Sequence, residues 1–260
     1  MLKVEVQAGV ARVTLDRPEV RNAFDDALIR ELQSAFERVG SDKGVRVVVL
    51  AGNGPAFCAG ADLNWMKRMA GYGYAENLAD AQALATMLAT LDRLPQPTIA
   101  RVHGPAFAGG TGLIAACDIA VGTPEAKFCF SEAKLGLSPA TISPYVIRAV
   151  GERMARRYFL TAEVFGAEEA SRIGLLSALV ATTSLDSEVD SLVKHLRAGG
   201  PEAHVKIKDL IRAVSRRPID DALSTDTAKR IAEIRVSPEG REGIASFLEK
   251  RKASWCSPKS

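Results

Sequence analysis

The sequence of 260 residues has few histidines and no paired cysteines, which argues against two kinds of site. Its three histidines are scattered, and no CxxC pair occurs among the four cysteines, Cys58, Cys117, Cys129 and Cys256. A zinc-type centre needs such ligands in clusters, so we predict no metal site. Isolated cysteines are typical of a reducing compartment, and we expect a cytoplasmic location.

Long apolar runs and a strong excess of one charge are missing as well. No run approaches the roughly 18 apolar residues of a membrane-spanning helix, and the N-terminal stretch lacks the apolar segment of a signal peptide. The net charge of +3 is too small to indicate a nucleic-acid or membrane partner. Hydrophobic content of 47% and charged content of 25% are ordinary for a globular protein.

What the sequence does contain is an alternation of strand and helix patterns over residues 1–200. Strands are predicted on both sides of Ala8 and Gly9, and at 45–52, 97–104, 117–122 and 127–130. Helical spacing follows Asp25, a candidate N-cap, and stops at Gly40. Residues 201–260 read as charged helices without strands. The sequence therefore predicts an α/β core, 1–200, and a helical C-terminal region, 201–260.

One turn occurs twice. The segment GPAFCAGAD begins at Gly54 and GPAFAGGTG begins at Gly104, and each lies between a predicted buried strand and a predicted helix start. The first turn of a helix leaves backbone N–H groups unpaired, and glycine and alanine let a ligand approach the backbone. Two such turns could direct their donors at one oxygen, as an oxyanion hole requires. Each turn alone is also compatible with an ordinary connection, and neither fits a dinucleotide or P-loop motif.

Five segments, in this order, resemble the signatures of the enoyl-CoA hydratase/isomerase (crotonase) superfamily. They are LDRPEVRNAF, GPAFCAGADLNWM, VHGPAFAGGTGLIAACDIAV, FCFSEAKLGLSPATISPYVIRAVG and EGREGIASFLEKRKASW. The resemblance implies an α/β fold built as a spiral of ββα turns, with a C-terminal helical region that mediates trimerisation, often as a dimer of trimers. It also implies an acyl-CoA thioester substrate and no further cofactor.

The resemblance assigns catalytic roles to three positions. It implies that the N–H groups of Ala59 and Gly109 form the oxyanion hole and that Glu132 is the general acid/base. Family hydratases typically have a second glutamate three positions beyond the oxyanion glycine, where this sequence has Gly112. A helper group for Glu132 is not identified by the sequence.

For the coenzyme A part of the substrate, the resemblance points to Ala61, Asp62 and Leu63 in the loop near adenine and pantetheine. It adds Phe247 and Lys250 in the C-terminal tail, often contributed by a neighbouring subunit. From pattern alone, Lys250 is equally compatible with an ordinary solvated charge.

The predicted function is the hydration of an α,β-unsaturated acyl-CoA, or the reverse dehydration, on a substrate that resembles 3-methylglutaconyl-CoA. Because Gly112 carries no carboxylate, a Δ3-Δ2 isomerase that uses Glu132 alone is the alternative. A non-catalytic acyl-CoA- or RNA-binding member of the fold is a further one.

Overall fold

The strands fall into two sheets in the computed structural model, which describes residues 1–256. In chain order they are β1 (Leu2–Gln7), β2 (Val10–Leu15), β3 (Val47–Gly52), β4 (Thr98–Val102), β5 (Ala106–Phe107), β6 (Ile119–Gly122), β7 (Lys127–Cys129), β8 (Phe165–Gly166) and β9 (Ala178–Leu179). The larger sheet has the order β1-β2-β3-β4-β6-β9, and the smaller one β5-β7-β8.

The larger sheet combines one hairpin with a run of parallel strands. β1 and β2 pair antiparallel through a tight turn at Ala8 and Gly9, whose φ angles are 49° and 76°. From β2 onward all pairings in this sheet are parallel. Parallel sheets are covered on both faces, which accounts for the uninterrupted apolar run of β3, in which residues 47–50 are fully buried.

Helices lie between the strands and, in the C-terminal part, after the last strand, β9. They are α1 (Asp26–Ser41), α2 (Leu63–Met69), α3 (Tyr74–Asp92), α4 (Gly109–Ala116), α5 (Ser143–Thr161), α6 (Ala167–Arg172), α7 (Leu185–Ala198), α8 (Pro201–Val214), α9 (Asp221–Val236) and α10 (Pro238–Leu248). Asp25 caps α1 as predicted, since its Oδ1 accepts a hydrogen bond from the Leu28 N–H at 2.7 Å. The predicted stop at Gly40 was wrong by one residue, because α1 continues to Ser41.

The smaller sheet leads into a 3₁₀ turn near the middle of the sequence. β5 and β7 are parallel, with Phe107 opposite Cys129, and β7 pairs antiparallel with β8. Directly after β7, residues Ser131–Leu135 form a 3₁₀ turn. Because of this register, the start of the 3₁₀ turn lies next to the end of β5, and α4 begins shortly after β5.

The chain divides into two compact units, Met1–Ser191 and the residues from Leu192 onward. The first contains both sheets, and the second contains α8, α9, α10 and the end of α7. The prediction of a mixed α/β fold with C-terminal helices is confirmed, whereas the predicted boundary at residue 200 stays a prediction. Within residues 1–256, no helix is long and apolar enough to cross a membrane.

Candidate active site

The two GPAF turns lie side by side. Cys58 in the first turn forms a parallel bridge with Ala106 in the second. Its N–H donates to Pro105 O at 3.2 Å, and its carbonyl accepts from the Phe107 N–H at 2.9 Å. A Cβ on Gly110 would lie 2.5 Å from the Cys58 carbonyl oxygen, so only glycine permits this approach. The repeated motif thus forms one structure from two distant segments.

Phe24 connects both turns to the segment before α1. Its N–H donates to Gly60 O, and its carbonyl accepts from the Asp62 N–H, each at 2.6 Å. Its buried ring packs on Gly109, where an added Cβ would lie 2.9 Å from the ring carbon Cε2. One residue therefore fixes the backbone around Ala61 and contacts the start of α4.

The structure contradicts the predicted role of Ala59. Its N–H donates to the carbonyl of Arg21 at 2.9 Å and is therefore not free to donate to a substrate oxygen. Ala61 has the opposite orientation. Because the flanking Gly60 C=O and Asp62 N–H face Phe24, the N–H of Ala61 points away from Phe24. Within residues 1–256 nothing accepts a hydrogen bond from it.

Gly109 supplies a second N–H that has no acceptor among residues 1–256. It is the first residue of α4, and an N–H at this position has no acceptor within its own helix. The preceding Ala108 has φ 47° and ψ −117°, a left-handed conformation that turns the chain sharply into the helix. Gly109 and Ala61 are both half-buried, so their amides lie at an accessible boundary of the core.

Glu132 lies on the 3₁₀ turn that follows β7. Its carboxylate oxygen Oε2 is buried and has no hydrogen-bond partner among residues 1–256. Burial raises the pKa of Glu132 above its ordinary value, although a hydrogen bond from its own backbone opposes this. The end of β7 adjoins the second GPAF turn, since the Ala108 N–H donates to Cys129 O at 2.8 Å. A carboxylate with one buried oxygen that has no partner among residues 1–256, near amides that are likewise unengaged there, is typical of a proton-transfer site.

The second glutamate of family hydratases would lie at Gly112, and the space beside Gly112 is occupied by the side chain of Ile142. A Cβ on Gly112 would lie 2.2 Å from Cγ2 of Ile142 and 2.8 Å from its Cβ. Both residues are buried, Ile142 being 1% exposed. The space that a side chain at position 112 would need is therefore occupied by an aliphatic one. Nothing in the local sequence around Gly112 indicates this.

Comparison with known proteins identifies the family of the chain. Residues 5–258 match the sequence model of the family described as Enoyl-CoA hydratase/isomerase. The chain belongs to the enoyl-CoA hydratase/isomerase family. The chain is 35% identical over 253 residues to Enoyl-CoA hydratase AKT6-1 of Alternaria alternata, covering 95% of this chain and 80% of that protein.

Solved structures give the same result. An enoyl-CoA hydratase from Shewanella pealeana superposes with a TM-score of 0.95 at 42% identity, over 98% of this chain and 95% of that one. An enoyl-CoA hydratase of Mycobacterium smegmatis gives 0.91 at 34% identity, over 98% and 99%. The predictions of this superfamily, and of an enzyme within it, are confirmed at that level.

The other positions predicted from the sequence to bind coenzyme A differ in how far they are exposed. The carboxylate of Asp62 caps α2 through the Asn64 and Trp65 N–H groups and is 6% exposed as a residue, so its charge is not available to a substrate. Leu63 is 74% exposed. Phe247, which is 81% exposed, and Lys250 lie in the second unit. Their roles in binding coenzyme A stay predictions.

Proposed function

We propose that this protein adds water across the double bond of an α,β-unsaturated acyl-CoA, or removes it in reverse. The observation that carries the proposal is the buried Glu132 Oε2, which has no hydrogen-bond partner among residues 1–256, beside two turns whose Ala61 and Gly109 amides are unengaged there. In this reaction negative charge develops on the thioester oxygen as the enolate forms. The N–H groups of Ala61 and Gly109 are proposed to hold that oxygen, each contributing about 10²–10³ in rate.

Glu132 is proposed to make both proton transfers of the hydration. As a carboxylate it takes a proton from water while the water oxygen bonds to the β-carbon. As a carboxylic acid it then gives that proton to the α-carbon of the enolate, which restores the thioester carbonyl. Its raised pKa supports this assignment, because a residue that acts first as base and then as acid works best when its pKa lies near the working pH.

For the acyl group we propose a substrate similar to 3-methylglutaconyl-CoA. The support is the resemblance of SEAKLGLSPATISPYVIRAVG, within the fourth of the five family segments, to bacterial hydratases of such thioesters. Those proteins also tend to have glycine at the position of Gly112. The proposed enzyme needs no cofactor, because coenzyme A is part of the substrate.

Double-bond isomerisation is the second candidate. The packing of Ile142 on Gly112 favours it, because the second carboxylate of the typical hydratase has no room there. A single carboxylate suffices to take a proton from the α-carbon of a 3-enoyl thioester and return it to the γ-carbon, with the intermediate dienolate held by the same amides.

Isotope labelling separates the two candidates. The protein is incubated in ¹⁸O-water with a panel of 2-enoyl-, 3-enoyl- and 3-hydroxyacyl-CoA thioesters, and the products are analysed by mass spectrometry. A hydratase places the label in the product hydroxyl, and this is the result we expect. Conversion of a 3-enoyl thioester without label would establish the isomerase instead. Absence of turnover on the whole panel would contradict both.

A further inference from the structure

Arg17 lies between the end of β2 and α1 and connects two carboxylates. Its Nη1 is 2.9 Å from Asp25 Oδ2, and its Nη2 donates to Asp62 Oδ2 at 3.2 Å. The side chains of Arg17, Asp25 and Asp62 are 14%, 17% and 8% exposed. The stability of such buried ion pairs depends on good geometry, and removing one partner leaves the other charge buried without compensation.

The two carboxylates also cap the N-termini of helices, which balances the charge of the cluster formed by Arg17, Asp25 and Asp62. Asp25 Oδ1 accepts from the Leu28 N–H at 2.7 Å at the start of α1, and Asp62 Oδ1 accepts from the Asn64 N–H at 2.8 Å at the start of α2. The positive ends of two helix dipoles thus offset the second negative charge. Arg17 therefore joins α1 and α2 at their N-termini.

Between these two anchors lies the segment that orients Ala61. Arg17 Nη1 donates to Ala23 O at 2.9 Å, and the next residue, Phe24, pairs with Gly60 and Asp62 on either side of Ala61. The backbone N–H of Arg17 also donates to Asn22 Oδ1 at 2.8 Å.

Asn22 in turn ties this segment to the first GPAF turn. It is fully buried, and its Nδ2 donates to the carbonyl oxygens of Asn53, Ala56 and Phe57 at 2.9, 2.9 and 3.2 Å. The polypeptide before and after Ala61 is therefore tied to Arg17, directly through Asp62 and indirectly through Asn22.

We propose that Arg17 is a positioning residue, which sets the direction of the Ala61 N–H by fixing Asp62 and the Ala23–Phe24 segment. The inference rests on the proposed function, in which that N–H binds the thioester oxygen. Arg17 does not touch the substrate in this account. Because small displacements of a donor cost much of its effect, a loosened Ala61 amide lowers the rate of the chemical step more than substrate binding.

The test uses Arg17→Lys, which keeps the charge but cannot reproduce the planar fork that reaches both carboxylates. Crotonyl-CoA with ¹³C at the thioester carbon is the probe, and its carbonyl stretch is measured by infrared difference spectroscopy on binding. Turnover of the same thioester is measured in parallel. We expect wild type to lower the stretching frequency, Arg17→Lys to lower it less, and kcat to fall about tenfold with KM within about twofold.

The control is Arg101→Lys, because Arg101 also makes a two-pronged contact with one aspartate, Asp186, and is 22% exposed. It should leave frequency and kcat unchanged. If Arg17→Lys does not fold, Asp62→Asn removes the same ion pair and keeps a cap residue. If Arg17→Lys or Asp62→Asn folds and shows the wild-type stretching frequency and kcat, the inference is overturned. No frequency shift and no turnover in wild type would instead contradict the proposed function.

Discussion

At the scale of single residues, Gly112 and Ile142 share one space in the interior. The contact explains why position 112 cannot carry the second glutamate, since even a methyl group there meets Ile142 at 2.2 Å. We expect Gly112→Ala to lower the free energy of unfolding by about 1–3 kcal/mol through overpacking. Ile142→Ala alone should lower it by about 2–5 kcal/mol through a cavity.

The double variant is the informative one. If the two side chains compete for the same volume, Gly112→Ala with Ile142→Ala is destabilised by less than the sum of the single changes. Urea unfolding of the four proteins gives this coupling. Strict additivity would show that Ile142 does not fill the space beside Gly112.

Glu132 links stability to pH. Because burial raises its pKa, the folded protein retains a proton on Glu132 at pH values where the unfolded chain has released it. The folded state then binds more protons, so the contribution of Glu132 to stability falls as the pH rises through that window. Glu132→Gln should therefore be more stable than wild type above the window, and the gain should fade on the acid side. Thermal unfolding at roughly pH 4 to 8 checks this, and a gain independent of pH would contradict it.

At the scale of elements, local signals predicted more than distant ones. Asp25 is a recognisable cap because the residue and the N–H group it binds are neighbours in sequence. The identity of the free amide was not recognisable. Whether Ala59 or Ala61 presents its N–H depends on pairing with the segment Arg21–Phe24, which lies more than thirty residues earlier. Ile142 likewise reaches Gly112 from the position just before α5, thirty residues later in the sequence.

Replacing single backbone amides by esters tests this assignment. Lactate in place of Ala61 removes only the N–H that we propose binds the thioester oxygen, and kcat should fall about 10²–10³-fold with little change in stability. The same exchange at Ala59 is the matched control. It removes the hydrogen bond to Arg21 O and should lower stability by about 0.5–1.5 kcal/mol while kcat remains near wild type. The reverse pattern would restore Ala59 as the donor.

At the scale of the whole molecule, the C-terminal helices expose many large apolar side chains. These side chains are 47–81% exposed and include Ile207 and Ile211 on α8, Ile231 and Val236 on α9, and Ile244, Phe247 and Leu248 on α10. Groups of apolar side chains of this kind are typical of protein–protein contacts. We propose that copies of the chain cover them in a trimer or a dimer of trimers.

Sedimentation equilibrium checks the proposed assembly. For a chain of 27.8 kDa we expect the mass of three or six copies at micromolar concentration. Ile244→Glu together with Leu248→Glu should shift the mass toward the monomer, because charge is excluded from an apolar interface. A wild-type monomer under these conditions would contradict the proposal.

The most direct test of the account is the turnover of Glu132→Gln. The amide keeps the shape of the side chain but cannot accept a proton near neutral pH. On the thioester that wild type hydrates, kcat should fall at least 10²–10⁴-fold, with little change in affinity for a coenzyme A product. Glu163→Gln, an exposed glutamate paired with Arg157, is the control and should keep full activity. Full activity of folded Glu132→Gln would contradict the role of Glu132 and the mechanism built on it.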